Sequence, residues 1–189
     1  MIRYRFVLAL LLITVPLDRV YAAPDQTRPV TFAATAGVRF FNEDLDLKTD
    51  ASFGARLGIE VSDRWGLLLD FVASHPVRKS TQALAPVDAL RALARANFLT
   101  GKIRPYAFAG IGGLLFFFND AANAAEGAVT FGAGVDVRVA RRAVLYLEGS
   151  QDVYRADGVV YTPTGAVYQT QPQKTQRLGT VSLGIGMEF

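Results

Sequence analysis

The chain has no cysteine and a single histidine. The first absence excludes a disulfide framework, thiol catalysis and cysteine-held metal. The second leaves almost no imidazole for metal binding or proton transfer. A dominant charge is also missing. Lys and Arg number 20 against 17 Asp and Glu, and a net +3 is too small an excess to indicate nucleic acid. Hydrophobic residues make up 51% of the chain, yet beyond its first residues no continuous run reaches the roughly 20 needed for a transmembrane helix. No metal cluster or paired catalytic carboxylates stand out, and no cofactor is expected. The glycines from Gly110 to Gly113 precede no helical pattern, so they are not a phosphate-cradling loop.

What is present begins with an export signal. Arg3 and Arg5 precede the apolar run Phe6 to Val15, which is too short to span a bilayer. Pro16, Asp18 and Arg19 break it, and Val20-Tyr21-Ala22 offers a cleavage site. Residues 1–22 are expected to be a cleaved signal peptide and 23–189 a single domain. Removing the signal's three Arg and one Asp leaves 17 basic and 16 acidic residues, close to neutral.

Period-two alternation marks eight strands, near 29–41, 51–61, 65–74, 87–98, 104–118, 127–139, 143–154 and 176–189. Most are long enough to cross a bilayer at a tilt. Short connections (62–64, 99–103, 140–142) alternate with longer ones (42–50, 75–86, 119–126, 155–175). That asymmetry fits an outer-membrane barrel with its turns and both termini in the periplasm. The segment 87–98 also has helical spacing, with Leu90, Leu93, Ala94 and Asn97. It is read as the fourth strand, because omitting it leaves seven strands and two adjacent long gaps. The predicted fold is all-β: an eight-stranded antiparallel transmembrane up-and-down β-barrel.

Two eight-stranded designs compete, a soluble calyx with an apolar cavity and a membrane barrel with the faces reversed. The strands favour the second. Phe53, Ala55, Leu57, Ile59 and Val61 share one face of strand two; Ser52, Gly54, Arg56, Gly58 and Glu60 share the other. Collected over the chain, the polar face carries Arg39, Arg56, Arg91, Arg95 and Arg138 with Glu60, Asp70, Asp136, Glu148 and Glu188. These are expected to form a charge network in the lumen, where an unpaired charge is costly. A hairpin centred on Asp63 sets Arg56 opposite Asp70, a predicted cross-strand pair. Aromatic girdles are expected from Trp65 and Phe98 beside short turns, and from Phe40, Phe53, Phe71 and Phe117 near the long loops.

The final strand alternates Val181, Leu183, Ile185, Met187 and Phe189 with Ser182, Gly184, Gly186 and Glu188. It resembles the closing strand of outer-membrane barrels, whose terminal aromatic is read by the assembly machinery; the resemblance makes Phe189 the assembly signal. Arg104-Pro105-Tyr106-Ala107-Phe108-Ala109-Gly110-Ile111-Gly112 is similar to the P-Y-x-x-x-G-x-G strand of OmpA/OmpX-like outer-membrane β-barrel domains. Ser62 to Leu67 resembles their turn followed by W-x-L, and Phe131 to Asp136 their F-G-x-G-x-D strand. The resemblance covers 23–189 and implies a Gram-negative cell-envelope protein, monomeric, contacting outer-membrane lipid and lipopolysaccharide. With nothing after Phe189, a peptidoglycan-binding domain and cell-wall anchoring are not expected.

For function, the first expectation is a non-enzymatic scaffold in envelope integrity or surface interaction, with ligands held by loops 42–50 and 155–175. The first loop is acidic and offers oxygen ligands to a divalent cation, or is simply solvated. The second either extends the barrel as a hairpin or is a tolerant loop. The alternative is a narrow or gated, porin-like small-solute channel. A lipid A-modifying enzyme is the third reading, resting on His75, Ser74 and Asp70. Ser74 and His75 point to opposite faces of one strand, so this reading is the weakest and no catalytic residue is assigned.

Overall fold

The structure is a computed structural model that describes residues 29–118, 123–161 and 167–189. The expected signal peptide 1–22 and its cleavage site lie outside the described residues. The strands are β1 (Val30–Phe41), β2 (Asp50–Glu60), β3 (Trp65–Ser74), β4 (Val87–Asn97), β5 (Ile103–Phe116), β6 (Ala124–Arg138), β7 (Ala143–Tyr161) and β8 (Val167–Glu188). Each pairs antiparallel with the next. β8 returns to β1 from Thr31↔Glu188 to Phe41↔Leu178, which closes the barrel. Closure removes the open edge that an apolar terminal strand would otherwise leave. Phe189 completes the seam, its N–H donating to Val30 O at 2.9 Å. The ambiguous segment is strand throughout Val87–Asn97, paired on both sides.

The connections sort by end. Residues 61–64, 98–102 and 139–142 form tight turns at one end, hereafter the turn end. Trp65 N–H donates to the Ser62 hydroxyl at 3.1 Å in the first, and Gly101 adopts φ 138° in the second, a conformation that glycine takes without strain. The opposite, loop end differs from expectation in two places. The expected loop 155–175 is strand over most of its described length: pairing of β7 with β8 continues from Arg155↔Thr175 to Tyr161↔Val167, with irregularities after Ala156 and Val160. Val159, Val160, Tyr161, Val167 and Tyr168 are strong strand formers, and the hairpin alternative prevails. β6 likewise starts at Ala124 rather than 127.

Alternation assigns the two faces. Outward stand Phe32, Phe53, Leu57, Ile59, Leu67, Leu69, Ile111, Val129, Leu147, Leu183, Ile185 and Met187, all exposed. So large an apolar belt on a closed sheet needs a non-aqueous partner. Inward, three aromatic rings lie over glycines directly across the ladder: Tyr106 over Gly134, Phe108 over Gly132 and Tyr146 over Gly184. A Cβ at Gly184 would overlap the Tyr146 ring, which is itself buried and held against Arg56. Gly184→Ala is therefore expected to cost about 1–3 kcal/mol of stability by overpacking. In a Tyr146→Ala background the same substitution should cost less in urea titrations; a Gly184→Ala barrel as stable as the parent would contradict this packing.

Candidate functional site: a lumen filled in two layers

The lower layer, from the turn end to mid-barrel, is ionic. Arg138 Nη2 donates to both Glu188 carboxylate oxygens at 3.0 Å. Arg104 spans Glu188, Glu60 and Asp136 at 3.1–3.2 Å. Arg95 bonds Asp136, stacks 3.9 Å from the Tyr106 ring centroid and donates to Asn97 at 2.7 Å. Deeper, Arg56 holds Glu148 with two parallel bonds of 2.6 and 2.7 Å and turns its Nε to Asp70 at 3.1 Å. Tyr106 OH donates to the same Glu148 at 2.9 Å. Arg91 then joins Asp70 (3.3 Å) to Asp152 (2.5 Å), and Thr130 donates to Asp152 at 2.7 Å. Two-pronged arginine–carboxylate contacts with every charge answered are the arrangement that makes ions tolerable away from water.

The upper layer is apolar. Val87, Ala89, Leu114, Phe116, Ala128, Tyr154 and Leu178 face inward at the loop end and pack with Ala85 and with Leu47. Leu47 comes from the first long connection, which folds down into the mouth. Its neighbours are tied to the second connection: Lys48 N–H donates to Val77 O at 3.0 Å and Lys79 N–H to Asp46 O at 2.7 Å. Arg39 stands between the layers, fully buried, donating to Val87 O at 2.9 Å and Ser74 Oγ at 3.3 Å. Among the described residues, a cavity of about 30 Å³ lies between Arg56, Arg95, Arg104, Glu60, Asp136 and Tyr146. That holds about two waters at most.

The ten residues expected in the lumen all face it. Arg39 is the one without a carboxylate bond; it is bound to a carbonyl and a hydroxyl instead. The sequence reading missed Arg104, Asp152, Asn97 and Tyr106. Asp152 is in phase with Glu148 along β7, and Arg104 with Tyr106 along β5, so period two was a usable signal for both. The apolar plug was also missed, because Leu47 and Ala85, which close it, come from connections that have no period.

Trp65, Phe98 and Phe189 are exposed on the outer face at the turn end. Phe40, Phe53 and Phe117 are exposed in the loop-end half, while Phe71, opposite Ala55 and Leu90, lies nearer mid-strand. The acidic connection 42–50 is folded rather than free: Glu43–Leu45 forms a 3-10 turn, Asp46 bonds Ser80 and Arg78, Asp44 pairs with Lys174, and Asp50 accepts from His75 N–H. Among the described residues no three His, Asp or Glu side chains converge on a metal position. Ser74 is fully buried with its hydroxyl donating to Val87 O, whereas His75 is exposed, so the two do not meet as nucleophile and base.

No family model matches the sequence, and no curated protein is significantly similar to it. Solved structures do match in fold. Neisserial surface protein A superposes with a TM-score of 0.64 at 15% identity, covering 85% of this chain and 97% of that one. The N-terminal β-barrel domain of Pseudomonas aeruginosa OprF gives 0.55 at 15% identity over 84% and 97%. Ail of Yersinia pestis, in complex with the heparin analogue sucrose octasulfate, gives 0.55 at 16% identity over 87% and 100%. The fold is that of the eight-stranded outer-membrane barrels.

Proposed function

We propose that the protein is an exported, monomeric barrel of the bacterial outer membrane that does not conduct solutes. Its short turns face the periplasm, Phe189 serves as its assembly signal, and its loop-end rim is presented at the cell surface as a rigid scaffold in envelope integrity or surface interaction. The observation that carries this reading is the pairing of an apolar outer belt with a lumen filled in two chemically different layers. An ion that passed the salt-bridge layer would meet the dry plug sealed by Leu47. Among the described residues, side chains fill both layers, and the cavity of about 30 Å³ within the ionic layer has room for water only.

Planar-bilayer recording on the refolded protein tests it, with heat-dependent gel migration showing that the same sample is folded. Electrical silence is expected. Discrete conductance steps from the folded protein would overturn the scaffold reading and make the lumen a narrow, porin-like path.

A further inference from the structure

Arg155 on β7 and Arg177 on β8 are exposed and point outward, since their neighbours Tyr154 and Gln176 are buried inside. They are diagonal neighbours on one face, Val153 standing opposite Arg177 and Arg155 opposite Thr175. Neither has an ionic partner among the described residues, unlike Arg104 and Arg138 of the lumen. Two like charges this close repel unless an anion joins them.

Directly toward the turn end, the outer face carries the row Phe131–Gln151–Gly179–Phe40 across β6, β7, β8 and β1. The next row is Ala133–Gly149–Val181–Val38. Packing does not account for these two glycines. A Cβ at Gly149 would meet nothing within 4 Å, and one at Gly179 would make only ordinary contact with Phe40 at 3.9 Å. Together they leave a trough walled by Phe40 and Phe131, running from the arginine pair down onto the apolar belt. Strand rise and tilt set Arg177 about 30 Å above Phe189, just past an apolar band about 25 Å tall. That is headgroup depth.

We infer that this trough binds a phosphate-bearing lipid of the leaflet at the loop end. Arg155 and Arg177 clasp the phosphate, the Gln151 amide reaches the linkage oxygens, and an acyl chain lies over Gly149 and Gly179. A lipid fits better than a soluble phosphate because the cationic end and the apolar trough are continuous. The inference rests on the outer belt facing lipid.

The test is native mass spectrometry of the refolded protein in octyl glucoside, titrated with phosphatidylglycerol. The parent is expected to retain one lipid about tenfold more tightly than Arg155→Gln/Arg177→Gln. Gly149→Leu/Gly179→Leu keeps both charges but fills the trough, and should lose the lipid as well. Diacylglycerol, which lacks the phosphate, should not be retained, and equimolar inorganic phosphate should not compete. Equal retention by the parent and the arginine variant overturns the site, and displacement by inorganic phosphate overturns the lipid assignment. Insertion into vesicles, read in parallel, separates the two levels. A parent that fails to insert sinks the membrane reading, whereas one that inserts but binds no better than the variant sinks only the clasp.

Discussion

Arg56→Ala is expected to lower the unfolding free energy of the refolded barrel by about 3–5 kcal/mol, the cost of removing one partner from a buried ionic group. Arg56 is the joint between two carboxylates on opposite sides of the lumen, Asp70 on β3 and Glu148 on β7. Its guanidinium also lies 5.1 Å from the Tyr146 ring centroid. Without it, Glu148 keeps only the Tyr106 and Ser182 hydroxyls, while Asp70 still has Arg91. The two couplings should therefore differ. A double-mutant cycle of Arg56 with Glu148 should give the larger interaction energy, and one with Asp70 the smaller. Arg56→Lys should fall between parent and alanine, because an ammonium keeps the charge but cannot make the two-pronged contact. Urea unfolding in vesicles, followed by the chain's single tryptophan, Trp65, reads all of these. Additive effects in both cycles would sink the network as drawn.

The pair Arg56–Asp70 is legible in the sequence because a short turn fixes register, and register fixes which side chains stand opposite. The observed Arg56↔Asp70 and Glu60↔Gly66 partners follow from the Ser62–Trp65 turn. Strand count, closure and the direction of each face came from the same period-two signal. What lay beyond it is what crosses the lumen. Glu148 meets Arg56 from a strand 92 residues away, and no local pattern couples those positions. The long connections were less legible still. An acidic segment with Glu43, Asp44, Asp46 and Asp50 reads as solvent-facing, yet Leu45 and Leu47 within it turn inward. Asp44, Asp46 and Asp50 bond the neighbouring connection and β8. Period-free segments reveal their contacts only once the closed barrel sets their ends side by side.

That makes Leu47 the most informative residue of the loop end. Leu47→Ala removes a fully buried side chain from the plug, and large-to-small core changes of this kind cost about 2–5 kcal/mol. The strand ladders do not depend on Leu47, so the loss should fall on local opening of the two interlocked connections and not on global unfolding. Lys48 and Lys79 flank that contact and become tryptic sites when it opens. Where cleavage follows the open population, a 2 kcal/mol loss accelerates it about 30-fold. Leu84→Ala is the matched control: Leu84 belongs to the same pair of connections but is 43% exposed and outside the plug. It should change cleavage little, as a surface substitution does. If Leu47→Ala and Leu84→Ala were cut at the same rate, Leu47 would not be closing the mouth. If only Leu47→Ala is cut faster while the urea midpoint stays put, the seal is a separable lid on a rigid barrel. In that case the surface rim can change shape without disturbing the ionic core beneath it.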